Sequence, residues 1–151
     1  MFKLTYNDLK TKRKEELIAY ILEDNRDSVT GIEDIVQTIR GVDLNYNQEN
    51  FILMCLDSAN NILKVKNLFK GGVASATVDM KVMFIEILKT KCCTKIIVAH
   101  NHPSANLTPS YKDRELTQAI NDACELFSIN LIDHFIFSRK EYFSFKKEGL
   151  L

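Results

Sequence analysis

Apolar residues recur along this chain with two periods, and each period predicts a different kind of element. In KRKEELIAYILEDN, Leu17, Ile18, Ile21 and Leu22 fall at helical spacing, which predicts an amphipathic helix over residues 7–24. TGIEDIVQTIRG repeats the pattern with Ile32, Ile35, Val36 and Ile39, and Gly41 offers a stop. FILMCLD (51–57) is apolar on both faces and rich in strand formers, so it predicts a buried strand. Asn60 and Asn61 signal a turn, and ILKVKNLF reads as the returning strand of a hairpin. Gly71 and Gly72 then break the chain ahead of a short strand in ASATV.

A helix follows, with Met80, Met83, Phe84, Ile87 and Leu88 on one face. KIIVA (95–99) predicts a second buried strand that runs into His100. The clearest helix begins after Ser110 and aligns Leu116, Ala119, Ile120, Ala123, Cys124 and Phe127 in one stripe. NLIDHFIF (130–137) and EYFSF (141–145) close the chain as strands about a turn at Ser138, Arg139 and Lys140. Hairpin strands combined with helix-separated strands predict an α/β (α+β mixed) architecture, a mixed β-sheet flanked by helices.

Composition narrows the class. At 151 residues and 46% hydrophobic, the chain has apolar material for the core of one domain. Lysine plus arginine and aspartate plus glutamate balance at 20 each, so no global field draws it to nucleic acid or anionic lipid. The N-terminal stretch MFKLTYNDLKTKRKEEL lacks the apolar run of a signal peptide, and no run reaches a membrane-spanning length. The expectation is a cytoplasmic protein with no membrane contact. Lys10, Lys12, Arg13 and Lys14 form a basic cluster that could touch nucleic acid or simply be a solvated helix face. Without interleaved aromatics the second reading is favoured. Cys55, Cys92, Cys93 and Cys124 sit in apolar runs without CxxC spacing. They read as reduced core residues rather than as a thiolate metal site.

The chemistry concentrates in AHNHPSANLTPSYKD. If KIIVAHNH continues as a strand, His100 and His102 face the same side, because side chains alternate with period two. Pro103 ends the strand, SANLTP turns back, and Pro109 and Ser110 open the next helix. Asp113 then falls in that helix's first turn, with its carboxylate able to face the strand's end. Two imidazoles and a carboxylate are a common ligand set for catalytic zinc, leaving a fourth position for water. A plainer reading stands beside this one, since histidines at strand ends are often hydrogen-bonded surface residues. Ser110-x-x-Asp113 is also an N-cap pattern, which is compatible with ligation by Asp113. In LIDHFIF, Asp133 and His134 alternate sides, so only one can face the site. The simpler expectation for His134 is a partly buried histidine satisfied by a backbone carbonyl, and the sharper one is support of the metal ligands.

These residues carry a resemblance. His100-x-His102-Pro103 followed by Ser110 and Asp113 resembles the JAMM (MPN-plus) metalloprotease signature. More closely, AHNHPSANLTPSYKD resembles the HNHPSG…PS..D core of the bacterial RadC-like JAB-domain family. ENFILMCLDSANNIL resembles that family's opening strand and hairpin, INLIDHFIFS its DH-x-I strand, and YFSFKKEGLL its C-terminal segment. The likeness runs from about Asn45 to the end.

The resemblance implies a JAB/MPN-like (cytidine-deaminase-like) core over residues 45–151, with residues 1–44 as a helical extension packed on it. It implies that His100, His102 and Asp113 hold one zinc ion per chain. Glu49 matches the glutamate that serves as general acid and base, and Ser110 the serine that helps stabilise the oxyanion. The implied activity is a peptidase or isopeptidase acting on a peptide or protein substrate. Two departures stand out: Ala105 occupies a glycine-like position after HNHPS, and Asp79-Met80-Lys81-Val82 replaces the family's HPRE. Residues 1–44 are too short for the helix-hairpin-helix module of full-length relatives plus its linker, so direct nucleic-acid binding is not carried over. The alternative is a non-catalytic metal-binding interaction module tied to DNA repair or mobile elements. The presence of Glu49 and Ser110 beside all three ligands favours the enzyme. A zinc nucleobase deaminase is disfavoured, since no HxE…PCxxC pattern occurs.

Overall fold

A computed structural model describes residues 27–71 and 78–151. The helix expected over residues 7–24, the basic cluster at Lys10, Lys12, Arg13 and Lys14, and all of ASATV but Val78 lie outside the described residues. In chain order the elements are α1 (Ile32–Arg40), β1 (Glu49–Leu56), β2 (Ile62–Gly71), α2 (Met80–Lys89), β3 (Lys95–Asn101), α3 (Tyr111–Leu126), β4 (Asn130–Phe137) and β5 (Tyr142–Ser144). The strands form one mixed sheet in the order β2-β1-β3-β4-β5. β3 runs antiparallel to β1 and parallel to β4, with α3 as the crossover between the parallel pair. No helix among the described residues is long and apolar enough to cross a membrane.

The two-faced apolar runs explain the layering. Phe51, Leu53 and Cys55 of β1, with Ile96 and Val98 of β3, pack on one face against Met83, Phe84 and Ile87 of α2 and Ile120 and Cys124 of α3. Ile52, Met54 and Leu56, with Ile97 and Ala99, pack on the other face against Ile35 and Ile39 of α1. Strands buried on both sides lose the polar alternation of an exposed sheet and read as continuous apolar runs. The β1–β2 hairpin turns where the sequence signals it, with Asn60 in the left-handed region (φ 66°) and Asp57 accepting from the amides of Ala59 and Asn61.

Two helices sit rotated relative to their expected stripes. On α2, Leu88 is 57% exposed, while Met83, Phe84 and Ile87 carry the packing. On α3 the buried line is Thr117, Ile120 and Cys124, with Ala119 and Phe127 exposed. Phe127 still stacks on Phe84, with ring centroids 5.3 Å apart. Cys92 also departs from the expected core role. It lies exposed in the turn after α2 with φ 62°, whereas Cys55 and Cys124 are buried as expected.

One irregularity matters for the site. Ile96 pairs with Leu131 but Ile97 pairs with Asp133, so β4 carries one extra residue at this point. Leu131 packs on the α2–α3 face, and a regular strand would send His134 to the opposite face. The bulge reverses that parity and places His134 level with Val98, on the face that bears α3.

Leu53 is fully buried at the centre of this packing. Leu53→Ala is expected to lower the unfolding free energy by about 3 kcal/mol, seen as an earlier midpoint in urea with an unchanged slope.

Candidate metal centre

The site forms where the carboxyl end of β3 meets the start of α3. A crevice beyond the carboxyl ends of parallel strands is where open α/β sheets place their ligands. His100 occupies the penultimate position of β3 and points to the α3 side, like Ile96 and Val98. His102 follows just past the strand, before Pro103 turns the chain away. The two rings meet with centroids 4.9 Å apart and their Nε2 atoms 3.0 Å apart. His102 Nδ1 donates to the Asn106 carbonyl at 2.6 Å, which leaves its Nε2 directed into the site.

Asp113 enters from the first turn of α3 and divides its carboxylate between two tasks. Oδ2 accepts from the Ser110 amide at 2.7 Å and from the Ser110 hydroxyl at 2.6 Å, while the Ser110 oxygen accepts from the Asp113 amide at 3.2 Å. This is a reciprocal capping box, with aspartate where glutamate is usual. Oδ1 lies 3.2 Å from His100 Nε2, and Oδ2 3.5 Å from His102 Nε2. Capping and convergence on the histidines therefore coexist on one side chain.

The electrostatics follow from this crowding. Burial alone would raise the Asp113 pKa, but contacts from His100 and His102, reinforced by Ser110, hold it far below the usual carboxylate range. The hydrogen bond to Asp113 raises the His102 pKa against the opposing effect of burial, with a smaller push from Glu49. Ligand atoms of His100, His102 and Asp113 all lie within 4.8 Å of one another, so the three could hold a metal ion. Two imidazole nitrogens and a carboxylate in such proximity need either a proton or a metal ion between them.

Glu49 opens β1 and is half-buried. With His100 and Asp113 it lines a cavity of about 70 Å³, walled also by Phe51, Phe69, Val78 and Leu116. Its position is fixed by a pair of buried asparagines absent from the sequence-level reading. Asn101 Oδ1 accepts from the Asn50 amide at 3.0 Å and from Asn50 Nδ2 at 2.9 Å. Asn50 and Asn101 both donate to the Gln48 carbonyl, at 2.9 and 3.0 Å. The residue between the two histidines thus ties the start of β1 to the end of β3. Only its place in the HNH triplet could have drawn notice to Asn101. Ser110 is exposed and does not line the cavity; it meets the site through Asp113.

His134 corrects the simpler expectation. Its ring nitrogens meet no backbone carbonyl; Nε2 lies 2.8 Å from His100 Nδ1 and Nδ1 lies 2.6 Å from Thr117 Oγ1. The ring is fully buried and stacks on Phe145, with centroids 4.7 Å apart. Burial first, and then the neighbouring His100, hold its pKa well below the usual histidine range. Asp133 faces away, accepting from Ser144 and from the amides of His134 and Lys146. Asp79, where the family pattern differs, caps α2 by accepting from the amides of Lys81 and Val82.

The family model for the RadC-like JAB domain matches residues 29–150, a span that also takes in α1. A UPF0758 protein of Actinobacillus pleuropneumoniae serotype 5b is 43% identical over 101 residues, which is 67% of this chain and 46% of that relative. A UPF0758 protein of Lactococcus lactis is 39% identical over 106 residues, covering 70% of this chain and 46% of the relative. One from Flavobacterium johnsoniae is 35% identical over 102 residues, covering 68% and 44% respectively. The chain spans about half the length of the curated relatives it matches.

Ala105, in the loop that follows the histidines, adopts φ 58°, and its amide donates to the His102 carbonyl at 2.8 Å. A side chain is strained in this left-handed region, which glycine enters freely. Ala105→Gly is expected to stabilise the protein by up to about 1 kcal/mol, measured as a later denaturation midpoint.

Proposed function

The chain belongs to the RadC-like JAB domain family, and from that premise we propose that it is a zinc-dependent hydrolase of JAMM type that cleaves a peptide or isopeptide amide. The observation that carries this reading is the meeting of His100 Nε2, His102 Nε2 and the Asp113 carboxylate within 4.8 Å, with His100 and Asp113 lining a cavity that also bears Glu49. Two imidazoles and one carboxylate suit zinc and leave room for substrate. One ion per chain would be held by His100, His102 and Asp113. A bound zinc supplies Lewis acidity, polarising the substrate carbonyl and making water a nucleophile at neutral pH.

The chain's own groups supply the proton transfers. Glu49 stands outside the ligand set, so its carboxylate stays free to take a proton from the attacking water. As the new C–O bond forms and the C–N bond breaks, Glu49 hands that proton to the departing amine. Ser110 is the hydroxyl assigned to the developing oxyanion, turning from Asp113 to donate to it. Phe51, Phe69, Val78 and Leu116 offer an apolar wall for a substrate side chain beside the scissile bond.

Metal analysis of the purified protein is expected to give about one zinc per chain, and His102→Ala to lose it. Zinc binding should also depend on pH with a definite sign. Asp113 raises the His102 pKa, so in the metal-free protein their pairing stabilises the fold below the ordinary histidine range. That contribution is lost as pH rises through the raised value, whereas a proton on His102 opposes coordination. The zinc-induced rise in Tm should therefore grow between about pH 6 and pH 8; a rise that shrinks over this range would contradict the ligand assignment. Glu49→Gln should retain zinc but lose at least about 100-fold in hydrolysis of a peptide library. Persistent activity would remove Glu49 from its role. A zinc-loaded wild type without hydrolysis would favour the non-catalytic metal-binding module instead.

A further inference from the structure

We propose that His134, oriented by Thr117, is a positioning residue that fixes which nitrogen of His100 faces the metal centre. The inference rests on the metal-centre reading above and adds to it residues outside the ligand set.

The assignment comes from following protons. Thr117 Oγ1 lies 2.7 Å from the backbone carbonyl of Asp113, one helical turn earlier, and 2.6 Å from His134 Nδ1. A carbonyl oxygen carries no proton, so the single hydroxyl proton lies between Thr117 and Asp113, in the back-bond that threonine commonly makes within a helix. The hydroxyl therefore turns a lone pair toward His134, and His134 Nδ1 must be the donor. His134 is fully buried, with the Phe51 and Phe145 rings 6.1 and 4.7 Å away, an environment that disfavours a cationic imidazole. With Nδ1 protonated and the ring neutral, its Nε2 is an acceptor.

That acceptor lies 2.8 Å from His100 Nδ1, so His100 donates there. His100 Nε2 is then left with its lone pair directed at His102 Nε2, 3.0 Å away, and Asp113 Oδ1, 3.2 Å away. The hydrogen bonds thus run from His100 through His134 and Thr117 to the main chain of Asp113, whose own carboxylate reaches the same site. Metal-ligating histidines usually donate to a carboxylate, a carbonyl or water. Here a neutral ring and a hydroxyl orient the ligand without adding negative charge beside the metal.

The test reads tautomers and metal affinity rather than turnover. Long-range 1H–15N spectra of the zinc-loaded protein, labelled at its three histidines, should show His100 and His134 as Nδ1–H tautomers. Thr117→Val removes the hydroxyl at nearly constant volume; it should leave His134 without a single tautomer and weaken zinc binding by about 10- to 100-fold. Thr117→Ser, which restores the hydroxyl, should return affinity to within about threefold of wild type. Calorimetric titration with zinc gives the affinities, and circular dichroism confirms that each variant is folded. A wild-type His134 seen as the Nε2–H tautomer or as a cation overturns the proposal. So does a folded Thr117→Val with wild-type affinity, or a Thr117→Ser that fails to recover. If Thr117→Val does not fold, the wild-type tautomers and the serine variant decide. A wild type that binds no zinc would sink the metal-centre reading instead, and spectra of the metal-free protein would still decide the proton assignment.

Discussion

Two imidazole nitrogens 3.0 Å apart beside a carboxylate form a contact that cannot persist without a proton or a metal ion between them. The surrounding architecture holds that contact in place. β3 delivers both histidines, α3 delivers the acid, and the β3–β4 crossover forces strand end and helix start together. The cost of crowding these groups is offset by fixed partners on every outward-facing atom. His102 is held by the Asn106 carbonyl, Asp113 by its own capping box, and His100 by His134. The contacts between Asp113 and the histidines lower the acid's pKa and raise that of His102, so the two move in opposite directions.

The sheet explains why a domain of this size can build such a site. Because β1 and β3 are buried on both faces, the strands that carry Glu49 and His100 are clamped between α1 on one side and α2 with α3 on the other. Side chains on clamped strands hold their geometry better than side chains on free loops. The paired asparagines extend that rigidity past the last ladder bond, tying the strand end that carries the histidines to the one that carries Glu49.

Much of this was legible in the sequence, for identifiable reasons. Side-chain alternation put His100 and His102 on one side, the apolar runs marked the buried strands, and Ser110-x-x-Asp113 marked the helix start. What escaped depended on how elements meet. Periodicity shows which residues of a helix are apolar but not how the helix is turned on its sheet, so Leu88 and Phe127 were expected inside and lie 57% and 50% exposed. A single-residue bulge leaves no compositional trace, yet it decides that His134 rather than Asp133 reaches the ligands. Thr117 carried no signal in the sequence; its hydroxyl bonds the Asp113 carbonyl within the helix and meets His134 only because that bulge turns the ring toward α3. The sharing of Asp113 between cap and histidines was left open by spacing, because only coordinates reveal which oxygen serves which task.

That sharing has a consequence for how the acid is held. The first turn of α3 is anchored by Oδ2 and the Ser110 main chain, while Oδ1 turns to His100 and Oδ2 also lies 3.5 Å from His102. The cap closes on Ser110 of the same helix start, so the acid is held in place by contacts that involve neither histidine. Unlike small domains that fold only around their zinc, this domain builds a core on both faces of its sheet and a capped helix start from its own side chains.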